Sequence, residues 1–269
     1  MAHDKSLLPI GVFDSGLGGL TVLRHLRERF PHEDFVYLGD TARIPYGSKS
    51  PRTIQRYLAQ NLAFLNHLSV KAVVVACNSA STQASFVESP VPLYEVIGPG
   101  AFRASITTQN SRVGVVATRA TVMSECYPKE IQKLKSSIQV FQQACPLLVP
   151  LVEEGWDDDP ITNLVVYRYL SPLLASGIDT LILGCTHYPI LKKAFAKVLG
   201  GGRVQMIDSA EAIGDQIERD FQVHKLPAKH DGRTGTFRLY ITDVSDTFEA
   251  LARRILTSIP IAKLELAEI

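Results

Sequence analysis

The chain has 269 residues, of which 46% are hydrophobic and 20% are charged. This composition is typical of packed globular proteins, and the length suits one large domain or two ordinary ones. The formal net charge of +1 gives no strong attraction to nucleic acid or to an anionic membrane. The N-terminal residues lack the pattern of a signal peptide, and no apolar run approaches the ~18 residues of a membrane span. We therefore expect a cytoplasmic protein that requires neither nucleic acid nor a membrane.

Short apolar runs alternate with longer amphipathic segments along the whole chain. Near-continuous apolar strands that alternate with helices are typical of parallel sheets covered on both faces, so we expect an α/β fold. The predicted strands are Ile10–Phe13, Phe35–Leu38, Ala72–Ala76, Leu93–Ile97, Arg112–Ala117, Gln139–Gln142, Thr180–Leu183, Val204–Ile207 and Thr236–Ile241. The predicted helices include Leu20–Phe30, Ser50–Leu68, Tyr127–Lys135, Pro160–Ser176, Ile190–Leu199, Ala210–Asp220 and Ser245–Ile255.

Two pairs of similar segments indicate an internal duplication. The run that begins at Ile10 has a counterpart at Val113, and the run that ends at Cys77 has one that ends at Cys185. The pairs occur in the same order, which predicts two related, doubly wound parallel-sheet domains with pseudo-twofold symmetry and a site in the cleft between them. Chance similarity between strands of one fold class is the alternative.

Cys77 and Cys185 each follow a predicted strand directly. Ligands of open parallel sheets bind at the carboxyl ends of the strands, so facing domains would place one thiol on each wall of a cleft. Inversion of a stereocentre by proton transfer needs a base on one face of the carbon and an acid on the other. Two thiols in matching positions fit this chemistry, although a single cysteine is more often a buried apolar residue. Cys126 and Cys145 lack such pairing and are predicted to be structural.

A free thiol has a pKa of about 8.5 and is mostly protonated at neutral pH. Helix starts or a nearby imidazolium are expected to lower that pKa at both cysteines. The polar residues after each cysteine are placed to cap those helices or to bind a substrate. They are Asn78, Ser79, Thr186 and His187.

Other polar segments narrow the possible ligands. The segment Asp14–Gly19 could bind an anion or form a tight turn, but Thr21 replaces the last glycine of a dinucleotide fingerprint. Lys49 lies in a polar loop with no signature of pyridoxal phosphate around it. Cys185 with His187 is half of a metal site at most. These segments therefore support neither a dinucleotide, nor pyridoxal phosphate, nor a metal.

Six segments, in order, are similar to those of glutamate racemase in the aspartate/glutamate racemase superfamily. The resemblance implies two α/β domains that enclose glutamate and a reaction without a cofactor. It also implies a first domain of residues 1–97 plus 211–269, carrying Cys77, and a second domain of residues 98–210, carrying Cys185. The segments are Gly11–Leu20, Gly39–Gly47, Ala76–Thr82, Pro150–Gly155, Leu183–Pro189 and Ile207–Ser209.

The resemblance also implies roles for single residues. Cys77 would remove the proton from D-glutamate and Cys185 the proton from L-glutamate. Asp14 would assist near Cys77, and His187 would assist near Cys185 with support from Glu153. The family more often has threonine at position 79, so the hydroxyl is kept there and a methyl group is lost. The residues implied to contact the substrate are Asp14, Ser15, Pro45, Tyr46, Gly47, Asn78, Ser79, Thr118, Thr186 and His187.

For the cell, the resemblance implies supply of D-glutamate for peptidoglycan in a bacterial cytoplasm. Members of the family are commonly homodimers, and some respond to a cell-wall precursor. Three alternatives stay open at this point. They are a racemase for aspartate or another amino acid, a Cys-His-Asp hydrolase with one nucleophilic thiol, and a non-catalytic protein that binds a small dicarboxylate. The sequence around Tyr46 and His187 favours glutamate.

Overall fold

Two separate parallel sheets form the framework of the protein. The computed structural model describes residues 4–229, 232–244, 246–256 and 264–269, apart from the side chains of residues 246–248. One sheet has six strands in the order β10-β9-β2-β1-β3-β4, and the other has four in the order β6-β5-β7-β8. The strands are β1 (Ile10–Asp14), β2 (Phe35–Gly39), β3 (Ala72–Val75), β4 (Leu93–Glu95), β5 (Arg112–Ala117), β6 (Gln139–Ala144), β7 (Thr180–Gly184), β8 (Gln205–Asp208), β9 (Phe237–Ile241) and β10 (Leu264–Leu266).

Helices lie between the strands, as the alternating pattern predicts. They are α1 (Leu20–Arg29), α2 (Pro51–His67), α3 (Asn78–Ser81), α4 (Ile97–Thr107), α5 (Arg119–Ser124), α6 (Cys126–Leu134), α7 (Leu148–Glu153), α8 (Pro160–Ala175), α9 (Lys192–Leu199), α10 (Ser209–Gln222) and α11 (Asp246–Ile255). Short 3-10 helices occur at Lys5–Leu7, Thr41–Arg43, Tyr46–Ser48, Ala84–Phe86 and Tyr188–Leu191. Among the described residues, no helix combines the length and the apolar character needed to cross a membrane.

The central strands are buried on both faces, which explains their near-continuous apolar sequences. Every residue of β1, β2, β3 and β7 is buried. Alternate residues of β1 pack into different clusters, with Val12 on one side of the sheet and Phe13 on the other. The second sheet divides its core in the same way, since Leu183 and Ile182 point to opposite faces. A period of two residues therefore builds one apolar layer on each face of each sheet.

The two sheets repeat one strand order. Strands β2-β1-β3-β4 of the first sheet correspond to β6-β5-β7-β8 of the second. The paired sequence runs therefore occupy corresponding strands, β1 with β5 and β3 with β7. Consequently Cys77 and Cys185 follow equivalent strands in the two sheets. The first sheet differs by the addition of β9 and β10 beyond β2.

The region after β4 differs from the sequence prediction. The strand predicted for Leu93–Ile97 ends at Glu95, and α4 begins at Ile97. Glycine and proline near its start give this helix a low propensity, so the sequence pattern did not predict it. The structure compensates because the Glu95 carboxylate accepts hydrogen bonds from the N–H groups of Ile97 and Gly98, at 2.6 and 2.8 Å. Gly100 also packs close to the ring of Tyr127.

Several other predicted boundaries differ by one or two residues, as at β6, which ends at Ala144 and not at Gln142. The helix predicted from Ile190 is preceded by the 3-10 helix Tyr188–Leu191, and the α-helix itself starts at Lys192. The helix predicted for Ser245–Ile255 is present as α11 from Asp246, while Ser245 lies outside the described residues. Helix ends are the least certain part of a sequence pattern because capping contacts decide them.

Candidate active site

A cavity of about 820 Å³, including its mouth, lies where the carboxyl ends of both sheets meet. The segments after β1, β2 and β3 line one part of it, and those after the equivalent strands β5, β6 and β7 line the rest. Its position is the one expected for a ligand site in parallel sheets. The lining residues are Ser15, Ile44, Pro45, Tyr46, Gly47, Ser48, Cys77, Asn78, Ser79, Thr118, Arg119, Cys145, Pro146, Val149, Pro150, Glu153, Cys185, Thr186 and His187.

Cys77 lies at the start of α3 and is buried, with 5% of its surface exposed. Its Sγ donates a hydrogen bond to Ser15 Oγ at 3.4 Å. Burial raises the pKa of the Cys77 thiol to about 12, and the charge of Asp14 adds to this shift. The sequence-based expectation of a lowered pKa at Cys77 is therefore wrong, because burial outweighs the backbone N–H of Ala80 at the short helix.

Cys185 faces a charged histidine. His187 Nδ1 lies 3.9 Å from Cys185 Sγ, and His187 Nε2 lies 3.3 Å from Glu153 Oε1. Burial on its own lowers the pKa of His187, but Cys185 and Glu153 together raise it to about 10. The raised pKa favours the imidazolium form of His187 at neutral pH.

Asp14 lies behind the cavity wall. It is fully buried and is not among the lining residues. Its carboxylate accepts hydrogen bonds from the Gly16 N–H at 3.0 Å and from Thr186 Oγ1 at 3.2 Å. Burial raises the pKa of Asp14, although the nearby His187 opposes this shift. The resemblance implies direct contact between Asp14 and the substrate. In the structure Asp14 does not line the cavity, and it contacts Thr186, which does.

A buried carboxylate holds the loop after β2. Tyr46, which lines the cavity, donates a hydrogen bond from its hydroxyl to Asp40. Asp40 is fully buried and also accepts hydrogen bonds from Arg43, at 2.7 and 2.8 Å, and from Asn61 at 3.2 Å. These contacts hold the segment Ile44–Ser48 against the cavity.

Polar contacts join the two sets of strand ends directly. Ser79 Oγ lies 2.8 Å from Thr118 Oγ1, and Tyr127 donates a hydrogen bond to Asn78 Oδ1 at 2.7 Å. Gly47 also packs closely on Thr118, since a Cβ at Gly47 would lie 2.7 Å from Thr118 Cβ. These contacts place Ser79 and Gly47 directly beside Thr118.

Sequence reasoning missed several residues of the cavity. Cys145 was predicted to be structural, yet it lies in the cavity wall after β6. Its pKa is raised by burial and by the charge of Cys185. Arg119 was also missed, although its position directly after Thr118 was an available signal. The remaining missed residues are Ile44, Ser48, Pro146, Val149 and Pro150. Within the described part of the chain, no group of three or more His, Cys, Asp or Glu side chains is placed to hold a metal ion.

Comparisons with known proteins agree with the resemblance found in the sequence. Residues 10–217 match the family model Asp/Glu/Hydantoin racemase. The chain is 47% identical over 257 residues to the glutamate racemase of Syntrophus aciditrophicus (strain SB), and the match covers 94% of both chains. It is 42% identical over 250 residues to the glutamate racemase of Geobacter metallireducens, covering 92% of both chains.

A solved structure shows the same fold throughout. The glutamate racemase of Francisella tularensis subsp. tularensis SCHU S4, in complex with D-glutamate, superimposes with a TM-score of 0.90 at 37% identity, covering 98% of each chain. The chain therefore belongs to the Asp/Glu/hydantoin racemase family and, within it, to the glutamate racemases.

Proposed function

We propose that this protein interconverts L- and D-glutamate by moving the Cα proton between two thiols, without a cofactor. The observation that carries the proposal is that Cys77 and Cys185 follow equivalent strands of two sheets and line one cavity. The glutamate racemases that the chain resembles, one of them bound to D-glutamate, support glutamate as the substrate. An aspartate racemase would suit the two thiols equally well, but the relatives named above are glutamate racemases.

The two thiols and the substrate together supply every proton and electron pair that the reaction needs. The thiolate of Cys185 takes the Cα proton of L-glutamate, and the electron pair of the C–H bond passes to Cα and the adjacent carboxylate. The S–H of Cys77 then gives its proton to the opposite face of Cα, which yields D-glutamate. Cys185 ends as a thiol and Cys77 as a thiolate, and the reverse reaction starts from that state.

The two thiols have different surroundings in the cavity. The raised pKa of Cys77 favours the neutral thiol, which is the proton donor for the reaction of L-glutamate. The His187 imidazolium, held by Glu153, lies beside Cys185, which we assign as the proton acceptor in that direction. We assign Asp14 a positioning role through Thr186.

We further propose how the cavity holds the substrate. Hydroxyl and amide groups would bind the ammonium and the carboxylates, and the loop around Tyr46 would close one side. The proposed binding residues are Ser15, Pro45, Tyr46, Gly47, Asn78, Ser79, Thr118, Thr186 and His187.

The domain division at residues 97/98 and 210/211 also remains our proposal. It is supported by the strands, since the six-stranded sheet uses residues 10–95 and 237–266 and the four-stranded sheet uses residues 112–208.

Deuterium exchange tests the two-thiol reaction. L-Glutamate in D₂O should lose optical activity and gain one deuterium at Cα with the wild-type protein and no added cofactor. Cys77→Ser and Cys185→Ser should both lose racemisation, because a serine hydroxyl is far less acidic than a thiol. Cys126→Ser is the matched control, since Cys126 lies on α6 outside the cavity lining and should leave turnover intact.

Full turnover by both cavity variants would refute the two-thiol mechanism. A mass increase from an acyl-enzyme would favour the hydrolase, and binding without exchange would favour a dicarboxylate-binding protein.

We also propose a homodimer in a bacterial cytoplasm that supplies D-glutamate for peptidoglycan. Three large apolar side chains on α8, Ile161, Leu164 and Tyr167, are 50–68% exposed and support a contact between copies. Analytical ultracentrifugation should show a dimer that Leu164→Glu weakens; a wild-type monomer at micromolar concentration would contradict the proposed homodimer.

Growth of a D-glutamate auxotroph carrying this gene would test the cellular role, and failure to grow despite activity in vitro would contradict that role.

A further inference from the structure

Tyr127 lies behind the cavity, in contact with both of the segments that carry the thiols. It is the second residue of α6 and is fully buried, and it is not among the residues that line the cavity. Its hydroxyl donates a hydrogen bond at 2.7 Å to Oδ1 of Asn78, the residue directly after Cys77. Its ring packs on Gly184, the residue directly before Cys185, since a Cβ at Gly184 would lie 3.2 Å from Tyr127 Cε2.

The hydrogen bond fixes which end of the Asn78 amide is bound. Burial raises the pKa of Tyr127, so its hydroxyl keeps the proton and donates it to the amide oxygen. Asn78 is 1% exposed, and its Nδ2 has no hydrogen-bond partner among the described residues. A buried amide N–H without a partner destabilises a fold, so its retention fits a role in the site. Tyr127 therefore holds Asn78, which lines the cavity, in one orientation.

The segment of the other thiol is also held across the cleft. Thr186, directly after Cys185, donates a hydrogen bond at 3.2 Å to Asp14 of β1, in the sheet of the first thiol. Asn78 follows β3 of that sheet, and its partner Tyr127 lies between β5 and β6 of the other sheet. The residue after each thiol therefore contacts a buried side chain from the part of the chain that forms the opposite sheet. Contacts within either part alone would not fix the distance between the thiols.

The proposed reaction needs a defined distance between the two sulfur atoms. The Cα atom lies between them, and each sulfur has to reach one face of the same carbon. A displacement of about 1 Å between reacting groups can lower the rate about 100-fold. A side chain that contacts both thiol segments can therefore control the proton transfer without touching the substrate.

We propose that Tyr127 is a positioning residue that sets the separation of Cys77 and Cys185 across the cavity. This inference rests on the proposed racemase function. The ring provides the contact on the Cys185 side, and the hydroxyl provides the contact on the Cys77 side. The two contributions can be separated, because Tyr127→Phe keeps the packed ring and removes the hydroxyl alone. This variant should therefore loosen only the Cys77 wall.

Kinetics of Tyr127→Phe test the proposal. Loss of the hydrogen bond should lower kcat/KM about 10-fold, equally for the two enantiomers because they are equally stable. Cys77 removes the proton of D-glutamate, so the primary isotope effect should rise with α-deuterated D-glutamate and not with α-deuterated L-glutamate, relative to wild type.

Tyr94→Phe is the matched control. Tyr94 is also buried and donates a hydrogen bond to Asp220 at 2.8 Å, but it lies outside the cavity lining. Its variant should keep the isotope effects of the wild-type protein. Thermal unfolding of both variants shows whether they stay folded and lose similar stability.

A double-mutant cycle shows whether Tyr127 acts through Asn78. Asn78→Ala removes the acceptor, so the addition of Tyr127→Phe should then change kcat/KM by less than about twofold. NMR detects the contact without turnover. The side-chain NH₂ signals of Asn78, identified by their absence in Asn78→Ala, should be displaced in Tyr127→Phe and unchanged in Tyr94→Phe.

Three results would overturn the proposal. They are isotope effects in Tyr127→Phe that keep the wild-type ratio between the enantiomers, additive effects of Tyr127→Phe and Asn78→Ala, and Asn78 signals that Tyr127→Phe leaves in place. A purely structural role would give the first result together with lost stability. Failure of the proposed function is recognised separately, because the wild-type protein would then exchange no Cα proton of glutamate, whereas the NMR result does not depend on turnover.

Discussion

His187 Nε2 lies 3.3 Å from Glu153 Oε1, and this ion pair holds the imidazolium that faces Cys185. The two residues come from different elements, since Glu153 ends α7 and His187 precedes the 3-10 helix Tyr188–Leu191. The pair lets a buried histidine keep its positive charge, because an isolated buried cation would lose its proton.

Glu153→Gln should lower the pKa of His187 and slow proton transfer at Cys185. Because the two enantiomers are equally stable, kcat/KM must fall equally in both directions, by about 10-fold or more. A larger primary isotope effect with α-deuterated L-glutamate than with α-deuterated D-glutamate would show that proton transfer at Cys185 is the step that is slowed. Glu154→Gln is the control, since this neighbouring residue is exposed and lies outside the cavity lining. Equal isotope effects for both enantiomers would remove Glu153 from the Cys185 side.

The raised pKa of His187 also predicts a pH-dependent stability. Its folded pKa of about 10 lies above the ordinary value of 6.5, so the protonated form stabilises the fold. This contribution is fully present below about pH 6.5 and is lost as pH rises through about 10. The difference in unfolding free energy between wild type and His187→Gln should therefore shrink between pH 6.5 and pH 10, as measured by urea denaturation. A difference that stays constant over this range would contradict the charged state of His187.

Gly18 allows the loop after β1 to approach the second sheet. A Cβ at this position would lie closer than 3.0 Å to Thr186 Oγ1 and His187 Nδ1. Gly18→Ala should displace both side chains, reduce racemisation strongly and cost about 1–3 kcal/mol of stability. Gly16→Ala is a milder comparison, because its nearest contact would be Ile44 Cγ2 at 3.1 Å. Kinetics and thermal unfolding measure both effects, and wild-type activity in Gly18→Ala would show that the loop relaxes without consequence.

A buried ion pair away from the cavity should affect stability alone. Lys71 Nζ lies 2.5 Å from Glu33 Oε2, and both side chains are less than 5% exposed. Lys71→Met leaves the carboxylate of Glu33 buried without its cation, which should cost about 3–5 kcal/mol. Lys133→Met, which removes an exposed pair with Glu130, should cost less than about 1 kcal/mol. Chemical denaturation measures both, and equal losses would refute the dependence on burial.

Much of the fold was predictable from local patterns. Continuous apolar runs such as Ala72–Val75 are buried on both faces, so their positions follow from hydrophobicity alone. The repeated runs before Cys77 and Cys185 also predicted that these residues would follow equivalent strands, since a duplicated sequence folds into a duplicated topology. By contrast, α4 starts at Ile97 in a segment of low helix propensity, and the hydrogen bonds that Glu95 accepts from its first N–H groups, together with packing on Tyr127, stabilise it.

The composition of the cavity depended on tertiary structure. The sequence by itself determined which residues carry thiol, imidazole and hydroxyl groups at strand ends. The tertiary structure decided that Cys145 and Arg119 join them and that Asp14 lies behind the wall, because segments far apart in the chain meet at the edges of two sheets. It also decided the pKa shifts, since burial raises the pKa of Cys77 and the contacts with Cys185 and Glu153 raise that of His187. Proximity to water and to other charges is a property of the folded chain, and a linear pattern does not contain it.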